Sequence, residues 1–110
     1  MCYDINKGDV MSKLCQKFEA ASTLIGKRWV NLIIFELLKG PKRFNDLETI
    51  LEISSKMLSS RLKELEQEGI LTREIYPETP VKIEYKLTEK GISLEPLMKA
   101  IESWSQTWYQ

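Results

Sequence analysis

A chain of 110 residues, 43% hydrophobic and 29% charged, is large enough to close one core without disulfides or a metal. It has no histidine, two cysteines and five scattered glycines. This composition removes the commonest general base and metal ligand, leaves Cys2 and Cys15 short of partners for a zinc site, and offers no glycine-rich phosphate loop. The expectation is therefore no catalytic residues, no metal and no cofactor. No apolar run approaches the roughly 20 residues of a membrane span, and the N-terminus lacks the basic-then-apolar order of a signal peptide, so a cytoplasmic protein is expected.

In chain order, residues 1–13 are polar and weakly patterned and read as a flexible tail, with 14–110 as a single domain. Phe18, Ala21, Leu24 and Ile25 recur at helical spacing and predict a first helix from Gln16 to Ile25, ended near Gly26. Residues 27–39 carry Trp29, Leu32, Ile33, Ile34, Phe35, Leu37 and Leu38, an apolar surface on most sides that marks a central helix stopped by Gly40-Pro41. Lys42-Arg43-Phe44 is long enough only for a minor strand. Asn45 is placed to cap the next helix with Glu48 three residues on, leaving Leu47, Ile50 and Leu51 inward. Ile53-Ser54-Ser55 forms a turn, and Ser54 or Ser55 caps a helix over 55–68, closed by Gly69. On it Leu58, Leu62 and Leu65 share one face and Lys56, Ser59, Ser60, Lys63 and Gln67 the other. Ile70–Tyr76 and Lys82–Leu87 read as strands around a tip at 77–81, which its two prolines stiffen. Thr88 caps a last helical region that runs to Tyr109 with a break marked by Pro96.

Two helices joined by a tight turn, followed by a hairpin, predict an α+β, mostly helical fold: a winged helix-turn-helix. The recognition helix falls at about 55–68 and the two-stranded β-wing at about 71–87, with extra N- and C-terminal helices for dimerisation. Net charge is zero, but its distribution is not even. Residues 27–43 hold five basic side chains against Glu36 alone, and 54–63 hold three with no acid, while Glu64, Glu66 and Glu68 follow. Phosphate contacts depend on local potential, so a neutral chain with a basic face is compatible with double-stranded DNA. The residues expected to meet it are Arg43, Ser54, Ser55, Lys56, Ser59, Ser60, Arg61 and Lys63, with Lys82 from the wing. The bland alternative is a solvated face on a protein-interaction module.

Leu97, Ile101, Trp104 and Trp108, with Tyr109, form an apolar stripe that either packs on the domain's own core or, with Phe18 of the first helix, forms a homodimer interface suited to an inverted-repeat operator. Cys15 lies between Lys13 and Lys17 near the expected helix start, where a helix terminus and ammonium groups favour a reactive thiolate; the alternative is a small core hydrophobe. Cys2 reads as incidental or as a resolving partner.

Cys15, Leu24-Ile25-Gly26-Lys27-Arg28-Trp29, Gly40-Pro41-Lys42-Arg43-Phe44, Ile53-Ser54-Ser55-Lys56-Met57-Leu58, Leu62-Lys63-Glu64-Leu65-Glu66, Pro80-Val81-Lys82-Ile83-Glu84-Tyr85 and Leu87-Thr88-Glu89-Lys90-Gly91 together resemble the HxlR-type winged-helix transcription regulators, from about residue 15 to Trp104. The resemblance implies a bacterial homodimeric regulator whose dimer uses the first and last helices, with helix 55–68 in the major groove. It is especially similar to a branch of thiol-based repressors that answer quinones and disulfide stress through a cysteine preceding the first helix, a position Cys15 occupies. The chain ends Trp108-Tyr109-Gln110 without a C-terminal cysteine. The resemblance therefore implies a disulfide, if one forms, with Cys15 of the other subunit, Cys2 or a small thiol. The rival reading is a regulator that answers a non-covalent apolar effector held between the aromatic helices.

Overall fold

The computed structural model describes residues 9–110, with side chains from residue 13 onward; of the tail expected over 1–13, residues 1–8, including Cys2, lie outside the described residues, and 9–13 are helical. The first helix, α1 (Asp9–Ile25), starts seven residues earlier than its periodicity predicts. The spacing Leu14, Phe18, Ala21, Ile25 carries the apolar stripe back beyond Gln16, and Asp9 suits the positive end of a helix. Along α1 the side chains from Lys13 to Thr23 are exposed apart from half-buried Cys15, and only Leu24 and Ile25 pack on the core. The helix thus stands off the domain as an arm, in a molecule 61 × 35 × 24 Å across.

The second helix, α2 (Val30–Leu38), begins later than expected because Trp29 takes a left-handed conformation at φ 79°. That conformation is costly for a bulky residue. Trp29 packs against the core, and the Arg28 guanidinium lies 5.1 Å from its ring centre. Val30, Ile33, Ile34 and Leu37 are buried, which makes α2 the centre of the domain. The third helix, α3 (Phe44–Leu51), starts before Asn45: Arg43 occupies the cap position and donates its backbone N–H to Asp46 Oδ2 at 3.1 Å. Asp46, not Glu48, therefore supplies the carboxylate half of the capping box, and Glu48 instead accepts from the Ser55 hydroxyl. The fourth helix, α4 (Ser55–Gln67), follows the expected plan, with Ser54 Oγ accepting from the Met57 N–H at 3.2 Å and Gly69 at φ 74° ending it.

Strands β1 (Leu71–Tyr76) and β2 (Lys82–Leu87) pair antiparallel from Leu71↔Leu87 to Tyr76↔Lys82. In place of the minor strand expected at 42–44, Lys42 makes a single antiparallel bridge to β2, its N–H donating to the Tyr85 carbonyl at 3.1 Å and its C=O accepting from the Tyr85 N–H at 2.8 Å. Thr88 caps the short α5 (Glu89–Ile92), and its hydroxyl donates to the Gly69 carbonyl at 2.5 Å, tying the wing base to the end of α4. Gly91 is held so close there that a Cβ would lie 2.2 Å from the Ile70 oxygen. The last helix, α6 (Glu95–Trp108), accommodates Pro96 in its first turn, and of its side chains only Met98 is buried. The result is a mostly helical winged helix-turn-helix with a two-stranded wing.

Candidate nucleic-acid interface and sensor helix

Leu58, Leu62 and Leu65 anchor α4 in the core and fix its rotation about its own axis. That leaves Lys56, Ser59, Ser60 and Lys63 exposed on the outer side, a convex face of ammonium and hydroxyl groups without a carboxylate among them. Ser54, Ser55 and Arg43 are exposed at the adjoining helix starts, so seven of the nine residues expected to meet DNA lie at the surface.

The other two are placed differently. Arg61 sits on the flank of α4, half-buried, with Nε donating to the Arg28 carbonyl at 2.9 Å and a terminal nitrogen on Glu64 Oε1 at 2.8 Å. Lys27 reaches Glu64 Oε2 at 3.0 Å from the same α1–α2 turn. The Lys27 ammonium, opposed by partial desolvation and helped by Arg61, holds the Glu64 carboxyl below the usual carboxylate range. Arg61 is thus directed at a turn 33 residues away in sequence and not at the outer face. Periodicity alone could not reveal this. Lys82 lies on the wing, half-buried, 3.6 Å from Glu84 and over the Tyr76 ring at 5.3 Å. Partial burial and then the Glu84 carboxylate push the Tyr76 phenol above its ordinary value.

Cys15 is the seventh residue of α1, well inside the helix. The field of a helix end fades within the first turn, so the terminus of α1 is too far along the helix to act on the thiol as the sequence suggested. The apolar residues expected at a dimer interface are exposed: Phe18 at 66%, Trp104 at 56% and Trp108 at 69%, with Leu97 and Ile101 less so. Leu14 and Tyr109 join them, Tyr109 making an edge contact with Trp104 at 5.5 Å. Leu14 could have been found from its place four residues before Phe18. The stripe does not pack on the domain's own core. Among the described residues no acidic, cysteine or histidine group is arranged to hold a metal, and no helix is long and apolar enough to cross a membrane.

Comparison with known proteins agrees with this geometry. Residues 24–110 match the HxlR-like helix-turn-helix family pattern. The chain is 49% identical over 98 residues to the HTH-type transcriptional regulator YvaP of Bacillus subtilis (strain 168), covering 88% of this chain and 91% of that one. It is 53% identical over 93 residues to the HTH-type transcriptional regulator YodB of the same organism, covering 84% and 83%. The crystal structure of quinone-bound YodB superposes with a TM-score of 0.72 at 45% identity, over 86% of this chain and all of that one. The redox regulator HypR in its oxidised form gives 0.81 at 36% identity, over 86% and 98%.

Proposed function

The chain belongs to the HxlR-like helix-turn-helix family of transcriptional regulators, and from that premise we propose that it is a cytoplasmic homodimeric repressor that leaves an inverted-repeat operator when Cys15 is modified. The observation that carries the DNA reading is the outer face of α4, where Lys56, Ser59, Ser60 and Lys63 project with no carboxylate between them. Ser54, Ser55 and Arg43 flank that face for phosphate contacts, and Lys82 extends them along the wing. The exposed stripes of α1 and α6 are the surfaces a second copy covers, which sets two α4 helices at a fixed spacing.

Cys15 lies on the arm that the partner engages, and quinone-bound and oxidised relatives support a thiol input. With a quinone, the Cys15 thiolate adds to a ring carbon, the resulting enolate oxygen takes a proton from solvent, and the ring C–H proton at that carbon moves to the other oxygen, which leaves an aromatic hydroquinone thioether. With diamide, two thiols lose two protons and two electrons to the N=N bond, leaving a disulfide and a hydrazine. Either product alters how α1 seats at the interface. The α1–α2 turn grips α4 through Lys27, Arg28, Arg61 and Glu64, so a shift of α1 moves the recognition helix. Coupling of about 1–3 kcal/mol, roughly 5- to 150-fold in affinity, suffices for a switch.

Fluorescence anisotropy on DNA from the protein's own promoter tests this. Diamide or a benzoquinone releases the wild type, a reducing thiol restores binding after diamide, and Cys15→Ser binds but ignores both reagents. Equal release of Cys15→Ser would falsify the thiol reading and leave the regulator reading intact.

A further inference from the structure

We propose that Glu48, held in place by Ser55, reads the exocyclic amino group of a cytosine in the major groove; the proposal rests on α4 being the recognition helix. Glu48 stands half-buried on α3 and accepts a hydrogen bond from the hydroxyl of Ser55, the exposed first residue of α4. In a helix-turn-helix the first helix crosses the DNA backbone and the start of the second meets base edges. The pair sits where those two helices join.

The chemistry of the pair follows from counting protons. The other carboxylate near the start of α3, Asp46, accepts the Arg43 N–H at 3.1 Å and belongs to the cap. Glu48 takes no part in the cap, and among the described residues no lysine or arginine forms an ion pair with it. An ionised carboxylate only accepts, and a serine hydroxyl has a single proton, which here goes to Glu48 Oε2. Toward the duplex the two side chains therefore present acceptors alone. Phosphate oxygens are anionic acceptors and do not match them. Phosphate is matched instead by the Ser55 backbone N–H, which the first turn of α4 leaves without an intrahelical partner. In the major groove the base-edge donors are the cytosine N4 and adenine N6 amino groups. Adenine carries its N7 lone pair beside that group, which repels a carboxylate, whereas cytosine carries a C–H there. Cytosine is therefore the base.

Enriching duplexes from a randomised library with the wild type defines the preferred sequence, and anisotropy titrations then measure each single base-pair change in it. At one base pair of each half-site, replacing cytosine weakens wild-type binding about tenfold. Glu48→Gln removes that preference and tolerates adenine there, because an amide matches N6 and N7 together. Ser55→Ala leaves the carboxylate unheld and narrows the same preference and no other. Both variants keep the salt slope and the discrimination at every other position. A merely structural tie between α3 and α4 behaves differently, since loosening it lowers affinity for all sequences alike. Base preferences unchanged in Glu48→Gln overturn the proposal. So does binding that tightens equally on every duplex, which makes Glu48 only a repeller of phosphate. If the wild type enriches no sequence, the regulator reading falls and this proposal with it; the other failures leave that reading standing.

Discussion

At the scale of single residues, position on α4 decides role. Lys56 and Lys63 stand clear of every ion pair among the described residues and face outward. Lys56→Ala and Lys63→Ala should each weaken operator binding and lower the slope of log affinity against log salt by about one, as loss of one phosphate contact does. A salt titration of the double variant checks this, and an unchanged slope removes α4 from the groove. Gly91 is different in kind. A Cβ there meets the Ile70 oxygen at 2.2 Å and Leu87 Cδ2 at 2.9 Å, the first of them backbone that cannot swing aside. Gly91→Ala should cost about 1–3 kcal/mol in urea unfolding, the range of overpacking. No loss would mean that the wing base is not closed as described.

At the scale of elements, the joint between the α1–α2 turn and α4 matters most. Arg61 holds the Arg28 carbonyl and Glu64, while Lys27 holds the same carboxylate from the turn. Surface ion pairs contribute little stability, so the role of this set is geometric: it makes the turn and the recognition helix move together. Arg61→Ala should keep the salt slope of operator binding, because the Arg61 guanidinium is engaged by the Arg28 carbonyl and Glu64 and is not on the outer face of α4, while reducing the fold-release caused by diamide. The two measurements in the same assay separate roles that look identical in sequence. A slope lowered by one, with release intact, would make Arg61 a phosphate contact instead.

At the scale of the whole molecule, the domain has a core to which α1 adds only Leu24 and Ile25 at its end and the far half of α6 adds nothing. The last turns of α6 bury nothing of their own, with Trp104 and Trp108 more than half exposed. Trp104, Trp108 and Tyr109 leave a large exposed apolar face at the end of α6, of a kind monomeric proteins rarely carry. Trp104→Ala together with Trp108→Ala should therefore give a folded monomer, with near-normal unfolding of the core and at least tenfold weaker operator binding. Sedimentation velocity reads the mass. A dimer that persists places the interface elsewhere.

Much of this was legible in the residues themselves. The spacing Leu58, Leu62, Leu65 against Lys56, Ser59, Ser60 and Lys63 determined α4 and its outer face, since a helix of period 3.6 with one apolar stripe has only one way to turn. The prolines of the tip, Gly69 and Thr88 determined the wing and its ends, because these residues act through their own backbone or the next few. What only the tertiary structure decided involves partners far apart in the chain or conformations a neighbour enforces. Arg61 turns to Arg28, and Trp29 is left-handed against the core. Asp46 displaces Glu48 as the capping carboxylate because α3 begins at Phe44. Cys15 proves to be inside a helix that starts at Asp9, and the Asn31 Oδ1 is buried without a hydrogen-bond partner. Local periodicity is a statement about one helix and its solvent; where two helices meet, packing density and the need to pair each buried polar atom decide, and those depend on residues the local pattern does not contain.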